Sequence, residues 1–389
     1  MSLETPFSGN NTTQWITPET VAGELNPNPV WNQIVYSSGL PVLTRDALID
    51  ETLNGSREIS DVATGSSTVA GEYAGNLTVD TFKSFIESAL QTTRIDGLSI
   101  SGVEITVDNA TKTYTRATGD FVADGVAVGD SIYFAGMSGN NSKTAKVTAV
   151  NALVVTVGEV TRTLTDETLT VDYKTGGKYE VGSECKTFSI LTWFKGRCGT
   201  EDKYFITTGA EVSGFTFTLA VNAYTTFSFP FNARKQEVVD TLPVGSTFID
   251  AVNDKKFVGT DGKVVVDGEL TPFTSLTIGS DGAASPQFEV NDSNGDASFI
   301  EYGTLTNTVS ISAFMRDTSL HNKFLTNTQS SISSIQECQK GSMMVSYNSV
   351  FLTASTPDLS AATSITQTLE GTATGAVNNS SIIIQEIVY

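Results

Sequence analysis

Period-two alternation constrains this chain more than any other feature. In GFTFTLAVN, Phe215, Phe217, Leu219 and Val221 share one parity, while Thr216, Thr218 and Asn222 share the other. TTFSFPFNA repeats the pattern, with Phe227, Phe229 and Phe231 set against Thr226, Ser228 and Asn232. Successive side chains of a strand point to opposite faces, so each run carries one apolar and one hydroxyl-rich face. Together they predict an antiparallel hairpin with its phenyl rings on one side. Pro230 lies on the polar parity and has no ladder donor, which predicts an edge or a bulge there. Similar short runs rich in Thr, Ser, Val and Gly recur between turn residues, so the expected fold class is mainly β.

Helices are few. The best candidate is TVDTFKSFIESALQ, Thr78 to Gln91, where Phe82, Phe85, Ile86, Ala89 and Leu90 share a helical face and Thr78 or Asp80 supplies the cap. A shorter one is DTSLHNKFLTN, Asp317 to Asn327. Between the first helix and the aromatic hairpin, residues 97–172 pack short strands between Asp, Asn and Gly turns. They read as a small β-barrel inserted into another domain. With that insert removed, an echo emerges. The alternating run Val69, Gly71, Tyr73, Gly75, Leu77 leads into the helix with Phe82 and Ile86. Val309, Ile311, Ala313 and Met315 lead in the same way into Leu320 and Phe324. Paired alternating strands follow each helix. The expected organisation is therefore a first domain of residues 1–96 plus 173–240, an external barrel of 97–172, and a second, related domain of 241–389.

The 389 residues carry a formal net charge of −20 and no Lys/Arg-rich stripe, which argues against grip on nucleic acid through phosphates. The three cysteines do not form a disulfide framework, and no apolar run reaches the 18 residues of a membrane span. The opening MSLETPFSGNNTTQW lacks a charged start followed by an apolar run, so a chain that folds in a cytoplasm is expected. The single histidine, His321, has no announced catalytic or metal partners. NDSNGD at Asn291–Asp296 has calcium-loop residue types without the calcium-loop spacing. No nucleophile, phosphate-loop or dinucleotide signature is present. Neither an enzyme nor a cofactor is expected.

What remains is polar sheet surface and one long loop. Hydroxyl-rich faces recur at Thr68, Glu72 and Asn76, at Thr308, Ser310 and Ser312, and at Thr366, Thr368 and Glu370, and basic residues stay at strand ends such as Arg234 and Arg316. Such a face is either ordinary solvent-facing sheet or the wall of an assembled channel suited to a polyanion. The run ALIDETLNGSREISDVATGSSTVAGEYAGNLTVDTFKSFIESAL resembles the major tail tube proteins of long-tailed bacteriophages. So do GDFVADGVAVGDSIYFAG, KTFSILTWFKGRCGTEDKYFITTGAEVSGFTFTLAV and the C-terminal third.

The resemblance implies a tail-tube sandwich or barrel fold, two tube domains in tandem, and rings stacked into a hollow tube in the virion tail, assembled in the host cytoplasm without membrane insertion. Strand parity then turns Glu72, Thr216, Thr218, Thr226, Ser228, Thr366, Thr368 and Glu370 into the channel wall. The tape-measure protein and later DNA would occupy that channel without specific binding, and tail tip and terminator proteins would cap it. The polar segment Asn54 to Ser67, with Asn54, Arg57, Glu58 and Asp61, would be a loop reaching the neighbouring ring. An apparent duplication implies a ring of three chains with pseudo-sixfold symmetry; without it, six. A β-sandwich adhesin that binds a host receptor is the alternative, and it would need an exposed aromatic cluster.

Overall fold

The computed structural model describes residues 6–52, 58–59, 61–158, 163–197, 200–251, 256–290, 295–316, 318–358, 364–375 and 380–389. Strands β1 (Thr12–Pro18), β2 (Val30–Gln33), β3 (Val42–Ile49) and β4 (Val62–Asn76) lead into helix α1 (Lys83–Leu90). Next come β5 (Ser99–Asp108), β6 (Thr113–Arg116), the short helix α2 (Phe121–Asp124), β7 (Ser131–Ala135), β8 (Ala145–Val150), β9 (Val154–Val157) and β10 (Glu167–Thr175). The chain continues through β11 (Gly177–Glu180), β12 (Phe188–Phe194), β13 (Lys203–Val212), β14 (Gly214–Ala220), β15 (Thr226–Ala233) and β16 (Lys235–Val239). Then follow β17 (Thr247–Ile249), β18 (Gly262–Val266), β19 (Glu269–Leu270), β20 (Ser275–Asp281), a small ribbon of β21 (Ser285–Gln287) and β22 (Phe299–Glu301), and β23 (Thr306–Phe314). Helix α3 (Ser319–Leu325), β24 (Ser330–Cys338), β25 (Gly341–Asp358), β26 (Thr366–Ala373) and β27 (Ile383–Val388) complete the described chain.

The fold is mainly β, as the alternation predicts. Its backbone is one continuous antiparallel sheet in the order β3-β4-β15-β14-β20-β23-β26-β25. The odd-numbered rings of β14 and β15 all point into one core: Phe215, Phe217, Phe227, Phe229 and Phe231 are each 2 % exposed or less. Leu276, Ile278, Val309 and Ile311 extend that core across the next two strands, and α1 covers it with Phe82, Phe85 and Ile86. Two cross-strand pairs explain Gly71 and Gly75 of β4. Phe231 lies opposite Gly71 and Phe227 opposite Gly75, and a Cβ at Gly71 would meet the Phe231 ring at 2.6 Å. The ring takes the space that the missing side chain leaves.

Pro230 is not at an edge. It sits in β15 between two neighbours, where pairing passes from β14 (Thr216 with Ser228) to β13 (Val212 with Phe231) across a bulge at Ser213. The bulge removes the demand for a donor at position 230. Helix α1 starts at Lys83, later than expected. Asp80 is in the left-handed region at φ 60°, and the Thr78 hydroxyl donates to Thr81 rather than capping.

Six strands close into a barrel in the order β10-β5-β6-β9-β8-β7, around Ile105, Tyr114, Phe134, Val147 and Tyr173, with Tyr114 and Phe134 stacked at 4.3 Å. This barrel interrupts the first half of the sequence but docks on strands of the second. Gln385 accepts from the Ser131 N–H at 2.5 Å and donates to the Gly129 carbonyl at 3.1 Å. Lys146 donates to Ser333 at 2.8 Å, and Tyr133 stacks on Tyr389 at 4.0 Å.

The pairings of the two halves repeat. The strand β12 runs between β1 and β13, as β24 runs between β18 and β25. β13 pairs with β16 as β25 pairs with β27. β4 lies between β3 and β15, as β23 lies between β20 and β26, and a helix follows each. The Leu77 N–H donates to the Thr225 carbonyl at 2.8 Å, and the Met315 N–H donates to the Ile365 carbonyl at 2.9 Å, at matching places in the two sets.

Beside the barrel, β27 buries Glu386, which accepts from the Tyr179 hydroxyl at 3.1 Å. Burial, reinforced by the nearby Asp80 charge and opposed by Arg94, pushes its carboxyl up to about 7 from an unperturbed 4.5. A raised carboxyl binds its proton more tightly in the fold than in the unfolded chain. Its stabilising contribution is therefore full below 4.5 and is lost as pH rises through about 7. Glu386→Gln is expected to narrow the drop in Tm of the unassembled protein between pH 5 and pH 8. An unchanged drop would show that this carboxyl does not titrate in that window.

Candidate functional site: one polar sheet face and an exposed arm

The face of the eight-stranded sheet opposite the core is built by parity. Cross-strand partners share a face, so the register fixes its membership. Thr226 pairs with Thr218, Ser228 with Thr216 and with Ala74, and Pro230 with Glu72. Thr216 pairs with Gly279 and Thr218 with Thr277 across to β20. Thr277 then pairs with Ser310, Ser310 with Glu370, Ser312 with Thr368, and Phe314 with Thr366. Glu72, Thr216, Thr218, Thr226, Ser228, Thr366, Thr368 and Glu370 thus lie on a single continuous face, contributed by both halves of the sequence. All eight are exposed or half-buried, whereas most of their neighbours along the strands are buried, Gly71 (half-buried) and Ile365 (exposed) excepted.

The chemistry of this face is uniform. The Ser228 hydroxyl donates to the Glu72 carboxylate at 2.5 Å, and Ser312 and Thr368 bond to one another at 2.9 Å. The carboxylates Glu72, Asp281, Asp358 and Glu370 share the face parity, and among the described residues of these positions there is no Lys or Arg. Sequence reasoning missed β20 and the end of β25 as members. The alternation Leu276, Ile278 against Thr277 was there to be read in SLTIGSD, but its short length and the in-strand Gly279 made it unremarkable beside the phenyl-bearing runs.

Strands β3 and β4 extend past the sheet as a two-stranded arm. All of β3 is exposed, and Leu48, Ile49 and Val62 near the tip are each more than half exposed. The expected loop Asn54 to Ser67 is shorter than the sequence suggests, because β4 begins at Val62 and pairs from Ile49↔Val62 inward. Glu58 and Asp61 are exposed; the Asp50 N–H donates to the Asp61 carbonyl at 2.9 Å and closes the arm. Asn54 and Arg57 lie outside the described residues. At the arm's base, buried Ser67 donates from its backbone to the Gly295 carbonyl at 2.7 Å and from its hydroxyl to Asp296 at 2.6 Å. The end of the calcium-like NDSNGD run thus works as a bracket on the arm.

His321 bonds through Nδ1 to the Ser355 hydroxyl at 2.8 Å. Among the described residues, no three His, Cys, Asp or Glu side chains gather as a metal site, and no helix is long and apolar enough to cross a membrane.

The fold is thus a mainly β protein with one continuous polar sheet face backed by an apolar core. The family model for phage tail tube proteins matches residues 9–373, and the chain belongs to that family: it is a structural protein of a virion tail. Among curated proteins, none matches the chain.

The exposed arm yields a direct expectation. Residues 51, 52, 58 and 59 at the tip are exposed, so deleting residues 51–59 should lower the stability of the monomer by less than about 1 kcal/mol. Growth of long tubes should be lost if the arm links successive rings. Full-length tubes from the deletion protein would remove the arm from that role.

Proposed function

We propose that three copies of the chain close their eight-stranded sheets into one 24-stranded barrel (three times eight), with the polar face inward, and that stacked rings form a tube that conducts DNA. The observation that carries this reading is the seam between β14 and β20. These strands pair over seven residues, from Gly214↔Asp281 to Ala220↔Ser275, and fuse two equivalent four-stranded sets within one chain. At the two ends of the sheet the same partners stand open. Among the described residues β3 pairs with β4 alone, and residues 351–357 of β25 pair with β26 and have no second strand neighbour. The tail of β25 holds the place of β14 in its set, and β3 holds the place of β20. Pairing β25 of one copy with β3 of the next repeats the internal seam and removes both exposed edges.

In this reading residues 1–96 with 173–240 form one tube domain and 241–389 the second, while 97–172 stand outside the tube. The docking of the barrel on β24, β27 and the first part of β25, behind the core, supports that placement. Hydroxyls keep the wall hydrated, and the carboxylates Glu72 and Glu370 repel phosphates, so DNA slides without capture. The tape-measure protein would fill the channel before DNA, and tip and terminator proteins would close its ends.

Negative-stain imaging of the purified protein, with native mass spectrometry of its rings, tests the assembly: hollow tubes with three chains per ring are expected. Rings of six chains would leave the tube and refute the tandem arrangement. For the wall, Thr216→Lys with Thr218→Lys should leave assembly intact and slow DNA release several-fold at low salt, with recovery at high salt. Wild-type release at low salt would overturn the sliding argument.

A further inference from the structure

The residues that link the two halves form a plug. Phe257 is fully buried and sits where β4 and β15 diverge. Its N–H donates to the Leu77 carbonyl at 3.1 Å, and its carbonyl accepts from the Thr225 N–H at 2.9 Å. A tight turn follows at Gly259–Asp261, ahead of β18. Gly259 lies so close to β14 that a Cβ there would stand 2.0 Å from the Ala220 carbonyl.

The N-terminus carries the same device. Phe7-Ser8-Gly9-Asn10-Asn11 matches Phe257-Val258-Gly259-Thr260-Asp261 in place, each pentad leading into the first strand of its set. The backbones agree closely. Ser8 has φ −112°, ψ 135° and Val258 has φ −116°, ψ 138°, and each turn is closed by a bond to that residue's carbonyl, at 2.9 and 3.0 Å. Their surroundings differ. Phe7 is 42 % exposed, and Gly9 has nothing within 4 Å of an added Cβ.

The receiving site is also duplicated. Met315 and Ile365 hold the places of Leu77 and Thr225. Among the described residues no chain segment inserts between them, and Ile365 is 40 % exposed where Thr225 is fully buried. Beside Met315 lies a cleft of about 360 Å³ lined by Val266, Leu270, Pro272, Ala313, Met315 and Leu320. One half has a plug in its socket; among the described residues the socket of the other half stands open, and Phe7, the chain's other plug, is half exposed and touches its own chain through the Phe194 ring, 5.8 Å between centroids.

We propose that Phe7 and its turn fill the open socket of the neighbouring copy in the ring. The Phe7 N–H would donate to that copy's Met315 carbonyl, and the Phe7 carbonyl would accept from its Ile365 N–H. The inference rests on the ring reading above. It adds that each seam between copies is closed twice, by strand pairing and by this plug, as the seam inside the chain is.

The test compares wild type, Phe7→Ala, Phe7→Leu and Phe257→Ala. Phe257→Ala should lower the Tm of the monomer, because its plug is intramolecular. Phe7→Ala removes only the partly exposed contact with Phe194, so it should lower that Tm far less than Phe257→Ala and raise the protein concentration needed for tube assembly by about tenfold or more, the scale of burying one phenyl ring. Phe7→Leu should recover most of the loss. In a background with the native cysteines replaced by Ser, Phe7→Cys with Leu270→Cys should yield covalent oligomers on oxidation of assembled tubes. Wild-type tubes alongside Phe7→Ala tubes of equal threshold would overturn the plug and leave the ring. A cross-link within a single monomer would overturn it in favour of a plug in its own chain. Failure of wild type itself to form tubes would remove the ring reading and this inference with it.

Discussion

Seven residues of β14 bond in register to seven of β20, and this seam sets the geometry of everything around it. Because the pairing keeps parity, the core face of the first half runs directly into that of the second: Phe217 and Leu219 continue as Ile278 and Leu276, then Val309 and Ile311. The opposite face becomes continuous for the same reason. A slip of one residue at this seam would turn the apolar set of β20 outward and break both faces at once. The long apolar side chains on one side therefore enforce the polar uniformity of the other.

In the proposed ring, that constraint lets an acidic chain assemble without a charged docking patch. Strand edges supply directional bonds that need no side-chain charge, and the cost of leaving them open in a monomer favours closure by a second copy. The polar face is left with hydroxyls, a few carboxylates and no cations among its described residues. Its composition is then free to suit whatever passes along it. The small barrel, clamped by Gln385, Lys146 and the Tyr133–Tyr389 stack, ties a segment of the first half to strands of the second and stiffens the pair on the side away from that face.

Much of this was legible in the order of residues, and the failures have identifiable causes. The phenyl alternation in β14 and β15 gave their faces outright, since a strand has only two. The echo around Phe82 and Leu320 pointed to the repeat of pairings. Pro230 was ambiguous because a missing donor fits an edge or a bulge equally, and only the path of β13 past Ser213 decides. Thr78 and Asp80 have good capping side chains, yet the left-handed backbone at Asp80 delays α1 to Lys83. The loop after β3 looked long because Val62–Ser67 is polar, but cross-strand bonds extend β4 through it.

By itself the sequence determined the local rules: which residues of each strand face together and where turns fall. These follow from periodicity and composition, which act over a few residues. Tertiary structure alone decided which strands become neighbours. Nothing in SLTIGSD says that it pairs with GFTFTLA rather than with its own hairpin only, nor that the barrel docks on the far half, nor that Phe257 is buried while Phe7, in a matching turn, is not. Those outcomes depend on contacts between residues far apart in the chain, where a side chain's environment is set by what the rest of the molecule brings to it.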